Sequence, residues 1–237
     1  MGGVYVPARC PEDWRCLLAR PDRHWREGYS AKLLAESWQK ADGFPASVRR
    51  VLESSRVDAL RDIEMLVGFP EFKVSLPGGA RASQSDVFVL ARSTLGLVCM
   101  TVEGKMRESF GETVGEWSEG ASSGKVKRLD YLCGVLGVGT ADTQSIPYQL
   151  LHRTASALIL AERFGAPVAA TLVHSFSPDN DGFNEFAEFA RAMGAEAEPD
   201  QVAEARGAGG RRLFLGWVRD SVVSHLLRRV SGICHGN

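Results

Sequence analysis

Apolar residues change period several times along the chain, and each change marks an element. Leu33, Leu34 and Trp38 fall at helical spacing and predict a helix over 30–40, broken by Asp42-Gly43-Phe44-Pro45. A second helix is expected over 47–66, where Val48, Val51, Leu52, Leu60, Ile63 and Leu66 supply the apolar positions and Gly68-Phe69-Pro70 the stop. A short strand around 72–76 follows, then the turn Pro77-Gly78-Gly79. Residues 86–92 and 96–103 read as two strands joined by the hairpin-length link Ser93-Thr94-Leu95. Further helices are predicted over 112–117, 126–134 and 148–164, the last with Ser145 as its N-cap. Residues 168–175 form a continuous apolar run, the type of strand buried on both faces. A helix near 182–193 comes next. Residues 194–210, rich in Ala, Glu and Gly, read as a surface connection. A strand over 213–218 and an amphipathic helix over 221–230 complete the pattern.

These elements describe one α/β domain with a mixed central sheet. Its parts are a helical N-terminal elaboration over 1–46, a core over 47–193, and a connection, edge strand and C-terminal helix over 194–237. The C-terminal stripe Val222, Leu226, Leu227 and Val230 docks either within the chain or on a second copy, so a homodimer stays open.

Composition narrows the class. With 28 basic and 29 acidic residues the net charge is −1, which argues against a strongly basic coat for nucleic acid but leaves room for a local groove. Short basic patches occur at Arg49-Arg50, Lys125-Val126-Lys127-Arg128, Arg211-Arg212 and Arg228-Arg229. No apolar run is long enough for a membrane span, and the N-terminus lacks a signal-peptide pattern. The five cysteines show no CxxC spacing, which suits a reducing cytoplasm better than a disulfide framework.

The most informative chemistry lies on the hairpin. Asp86 opens one strand, and its antiparallel partner ends in Glu103-Gly104-Lys105. Alternation along a strand puts Glu103 and Lys105 on one face and sends Val98, Met100 and Val102 to the other. Two carboxylates and an ammonium are thus expected at one sheet edge. Carboxylate oxygens suit Mg²⁺ or Mn²⁺ better than Zn²⁺. A bound ion of this kind polarises a phosphate and acidifies a bound water, while Lys105 orients that water or neutralises developing charge. A second acid-x-Lys tripeptide, Glu71-Phe72-Lys73, is set aside because its strand is read as short and no acidic residue lies on a strand before it. On the 148–164 helix Gln149, His152, Arg153 and Ser156 share one face. His174 ends the buried strand and is read as a hydrogen-bonded structural histidine.

The order helix, three strands, helix, strand, with Asp86 on the second strand and Glu103-x-Lys105 on the third, resembles the PD-(D/E)xK nuclease superfamily over about 47–175. The resemblance implies a restriction-endonuclease-like fold and a metal-dependent phosphodiester hydrolase acting on nucleic acid, most naturally DNA. It implies Asp86, Glu103 and Lys105 as catalytic residues, and Glu64, Asp86 and Glu103 as metal ligands. Ser85 stands where the family has proline. Some members carry Gln-x-x-x-Tyr on the equivalent helix; Gln149 matches, Arg153 replaces the Tyr, and Gln149, His152 and Arg153 become candidate substrate contacts. The segments 148–156 and 172–178 also resemble an uncharacterised bacterial family, which implies no activity. Two other readings stay open: a non-catalytic binding or interaction module on the same fold, and a metal-dependent hydrolase of a small phosphorylated substrate.

Overall fold

Six strands form one mixed sheet, in the order β1-β2-β3-β4-β6-β5. The structure is a computed structural model and describes residues 8–207 and 209–220. Strands β1 (Glu64–Val74), β2 (Ser83–Ser93) and β3 (Gly96–Lys105) make an antiparallel meander. Strand β4 (Val168–Ser175) then runs parallel to β3, and β6 (Arg212–Arg219) parallel to β4. Strand β5 (Gln201–Ala205) closes the far edge antiparallel to β6, so β6 lies inside the sheet and is not the edge strand expected there.

Helices cover both faces. On one lie α1 (Glu12–Arg15), α2 (Pro21–His24), α3 (Ser30–Gln39), α4 (Ala46–Ser54) and α5 (Asp58–Arg61); α6 (Val114–Ser118), α7 (Ser123–Leu136), α8 (Tyr148–Phe164) and α9 (Phe183–Ala192) lie on the other. Strand alternation feeds two separate cores. In β4, Val168, Ala170 and Leu172 pack with α3 and α4, whereas Ala169 and Val173 pack with α7, α8 and α9. Val98, Met100 and Val102 of β3 join the first core, as alternation requires, and Cys99 joins the second. Leu33, Leu34 and Trp38 bury the inner stripe of α3, so the N-terminal helices belong to the sheet's cover.

Several sequence expectations need correction. The helix expected over 47–66 stops at Ser54; a single turn, α5, follows, and the chain is already in β1 at Glu64. Gly68 and Pro70 do not end an element but lie inside β1. Proline is tolerated there because β1 is an edge strand, with no neighbour needing its missing N–H on the open side. The connection over 194–210 contains β5, whose exposed and half-buried residues hide the apolar signal of a strand. The N-cap of α8 is Pro147 rather than Ser145. The helix expected over 221–230, with its stripe Val222, Leu226, Leu227 and Val230, lies outside the described residues.

Helix α8 supplies the side chains that face the end of β3, and its length is set by a left-handed stop. Gly165 has φ +63°, and its N–H donates to the carbonyls of Ala161 and Glu162. A Cβ on Gly165 would meet no atom within 4 Å, so Gly165→Ala tests backbone conformation alone. The variant is expected to lose about 1 kcal/mol in urea unfolding, with an unchanged denaturant slope.

Candidate functional site

Glu103 and Lys105 stand two residues apart at the end of β3 and share the face under α8, each only 4% exposed. Charges so deeply buried must be paired, and α8 provides the partners. Its Gln149 and Arg153 are four residues apart and therefore point the same way. Arg153 Nε donates to Glu103 Oε2 at 2.8 Å. Gln149 Nε2 donates to Glu103 Oε1 at 2.5 Å, and its Oε1 accepts from Lys105 Nζ at 2.9 Å. Lys105 Nζ also reaches Glu103 Oε1 and the carbonyl of Ser109, each at 3.4 Å, and sits 4.4 Å from the Phe110 ring centre.

Asp86 joins this group from β2. The β2–β3 register ends with Val87 opposite Val102, and at the next step Asp86 Oδ2 accepts the backbone N–H of Gly104 at 2.8 Å. Gly104 leaves room for this approach: a Cβ there would lie 3.5 Å from Asp86 Oδ2 and 3.3 Å from the Leu34 side chain of α3. Asp86 therefore touches the Glu103-x-Lys105 tripeptide at its backbone, and the charge of Glu103 acts on it.

Glu64 does not belong to it. It is exposed at the opposite end of β1, paired with Arg92 at 2.6 Å. Six residue steps along β2 separate Arg92 from Asp86, roughly 20 Å of strand. The acid that β1 brings to the site is Glu71, between Pro70 opposite Val87 and Phe72 opposite Ser85, hence across from Asp86. Glu71 has φ +52°, a left-handed conformation that costs a non-glycine residue energy, and Gln84 Nε2 donates to its Oε2 at 2.7 Å. The tripeptide Glu71-Phe72-Lys73 carried this signal, and it was masked by reading β1 as a short strand.

Of the three predicted substrate contacts Arg153 is buried and Gln149 and His152 are half-buried, and each has a partner within the protein. Gln149 and Arg153 bind Glu103 as described, and His152 Nδ1 lies 2.8 Å from Ser83 Oγ. Burial, followed by the charges of Arg153 and Arg128, holds His152 well below the ordinary histidine range, so it is neutral near pH 7. Arg128 is not a surface cation either. It is buried and donates to the carbonyls of Pro77 at 2.8 Å and Gly79 at 2.9 Å, pinning the turn between β1 and β2. His174 lies on the opposite sheet face. Its Nδ1 accepts Trp38 Nε1–H at 3.1 Å, which places the ring proton on Nε2, 3.1 Å from both Ser47 Oγ and Asp220 Oδ2. It ties α3 and α4 to the ends of β4 and β6.

The electrostatics follow from burial and from these neighbours. Glu71, Asp86 and Glu103 all feel Arg153, while Lys105 acts on Glu103 and Lys73 on Glu71. Burial alone would push Glu103 up, but Arg153 and Lys105 outweigh it and hold its carboxyl below the usual value. Asp86 is driven well above its usual value by burial, then by the charges of Glu103 and Glu71. Glu71 is raised to about 7, chiefly by burial. Burial thus favours the protonated forms of Asp86 and Glu71 beside an ionised Glu103. The donors fit a hard divalent ion, being carboxylate oxygens with no sulfur nearby. Among the described residues no three His, Cys, Asp or Glu side chains stand close enough to hold a metal by themselves. Mg²⁺ does not require three, since it is often held by one or two carboxylates and keeps its waters.

The fold and this cluster define an α/β protein with buried ion pairs at one end of a mixed sheet. Residues 7–222 match the family model described as "Domain of unknown function (DUF6946)", and the chain belongs to that family. No curated protein and no solved structure matches it. Among the described residues no helix is long and apolar enough to cross a membrane.

The raised carboxyl of Glu71 has a measurable consequence. In metal-free buffer the folded chain binds a proton on Glu71 between pH 4.5, the ordinary value, and about 7. The unfolded chain does not, so this stabilisation is present at low pH and fades as pH rises through 7. Asp86 acts in the same direction. Glu71→Gln mimics the protonated acid and is expected to match the parent below pH 4.5, yet exceed its stability by about 1–3 kcal/mol at pH 8. Urea unfolding of both proteins across pH 4–8 reads the difference.

Proposed function

We propose that this protein is a metal-dependent phosphodiester hydrolase with a restriction-endonuclease-like core, acting on nucleic acid, in first place DNA, in the cytoplasm. The observation that carries the reading is the union of Glu103, Lys105 and Asp86 at one sheet end. The connectivity agrees: an antiparallel meander of β1, β2 and β3, a helical crossover ending in α8, and β4 parallel to β3. Glu71 takes the place first given to Glu64.

In this reading Asp86 and Glu103 would hold Mg²⁺ or Mn²⁺, with Glu71 beside them. Such an ion supplies Lewis-acid polarisation of the scissile phosphate and an acidified water. Lys105 offers the positive charge that stabilises phosphoryl oxygens as charge builds on them. Gln149 orients Lys105 and Glu103 together, and Phe110 covers the ammonium from water.

A second reading is favoured by one specific feature. Both oxygens of Glu103 are occupied by internal donors, and Glu103 and Lys105 are almost wholly enclosed. A nuclease-fold module that binds without cutting would look like this. Incubation with plasmid and single-stranded DNA in Mg²⁺ or Mn²⁺ separates the two. The hydrolase is expected to cut, and Lys105→Ala and Asp86→Asn to cut at least ~100-fold more slowly while keeping parental circular dichroism. Cleavage undiminished in Lys105→Ala removes the role given to that lysine. Binding without cleavage selects the module. Hydrolysis of a small phosphate ester, with no action on nucleic acid, selects a small phosphorylated substrate.

A further inference from the structure

The aromatic and basic residues around the start of α8 take no part in the buried cluster beneath it. We propose that Trp117, Tyr148, Lys125 and Arg81 form a contact surface for single-stranded nucleic acid, with the two rings as a stacking ledge and the two cations on the phosphates. The inference rests on the reading of this protein as one that acts on nucleic acid, and it names the form of the substrate and the residues that meet it.

Tyr148 opens α8, next to the Gln149 that joins Glu103 and Lys105, so this surface borders the cluster. Its ring stacks on Trp117 of α6 at 4.0 Å with 8° between the planes, and both residues are half-buried. The indole is thereby held rigid with part of its surface in solvent. Lys125 of α7 stands beside it: Nζ donates to the Trp117 carbonyl at 2.6 Å and lies 5.0 Å from the indole centre. Arg81 follows the turn between β1 and β2, which rests directly on α7. A Cβ on Gly124 would lie 2.6 Å from the Gly78 carbonyl oxygen, and Arg128 grips the same turn. Arg81 is exposed, and neither its guanidinium nor the Trp117 indole N–H has a hydrogen-bond or ion-pair partner among the described residues.

Charge and ring chemistry together select the partner. The charges that act on Tyr148 are those of Arg128, Arg81 and Arg153, and those that act on His152 are Arg153 and Arg128; every one is a cation. Glu116, the acid within α6, is engaged in the capping box with Thr113. A chain of net charge −1 has no general attraction for a polyanion, so a local group of cations has to supply it. An acidic protein would satisfy the cations but make no use of the rings. Stacking on an aromatic side chain needs a base with a free face, which a single strand offers and an intact duplex does not.

Fluorescence anisotropy of the full chain with labelled single-stranded DNA, single-stranded RNA and duplex DNA, in EDTA so that nothing is cut, tests the surface apart from catalysis. The parent is expected to bind one of the single strands more tightly than the duplex, and the tighter of the two names the sugar. Arg81→Glu is expected to weaken that binding at least ~tenfold and to flatten its salt dependence by about one unit of slope. Trp117→Ala is expected to weaken it at least ~fivefold with the salt dependence unchanged, because a stacked ring releases no counterions. Arg50→Glu, an exposed charge on α4 across the sheet, is expected to match the parent. Parent binding that ignores Arg81→Glu or Trp117→Ala, or that prefers the duplex, overturns the surface and leaves the nucleic-acid reading standing. Absence of parental binding to all three probes overturns the inference and that reading together. Should Trp117→Ala fail to fold, ultraviolet crosslinking of the parent to iodouracil-substituted single strands decides: crosslinks at Trp117 or Tyr148 support the ledge, and crosslinks only elsewhere overturn it.

Discussion

A carboxylate enclosed between a guanidinium and an ammonium is the constraint around which this molecule is arranged. Removing one partner from such a buried pair typically costs 3–5 kcal/mol, because the remaining charge has no water to fall back on. The enclosure works only if α8 crosses β3 in one register, with Gln149 over the gap between Glu103 and Lys105 and Arg153 one turn further on. The apolar side of α8, with Leu150, Leu151 and Leu158 buried, has to agree with that register. Hydrophobic packing brings the helix to the sheet, and the ion pairs choose where along the sheet it rests.

The legible parts of the fold were those with undiluted patterns. The bounds of α8 and β4 coincide with those read from the sequence, since one is a long amphipathic run and the other is mostly apolar and buried throughout. Glu103, Lys105 and Asp86 were legible for the same reason: they sit on a hairpin whose alternation is clean. Edge strands were harder. A strand with one neighbour keeps half its surface in water, tolerates glycine and proline, and carries a mixed sequence. That is why β1 was divided between a helix and a short strand and β5 was taken for a loop. The error over β1 carried directly into the site, replacing Glu71 with Glu64.

Partner choice was less legible than position. The shared face of Gln149, His152 and Arg153 was evident from spacing, but spacing does not say what a face meets. A polar stripe on a helix reads as solvent-facing or substrate-facing until the sheet beneath it is known to carry buried charge. Once Glu103 and Lys105 are placed there, the stripe becomes the lining of an interior. The left-handed backbone at Glu71 is likewise invisible in sequence, because nothing in Glu-Phe-Lys signals a positive φ.

Gly104 links the two halves of the molecule mechanically. It is the middle residue of the acid-x-Lys tripeptide, and its bare α-carbon lets Leu34 of α3 press against β3 from one side while the Asp86 carboxylate closes on its amide. A Cβ at that position would press on the Leu34 side chain at 3.3 Å, while the Asp86 carboxylate would stand at ordinary contact distance. The spacing of charges under α8 is thereby gauged from behind, by how closely an aliphatic helix on the opposite face can seat. The N-terminal helices, remote from the chemistry in sequence, set one of its tolerances.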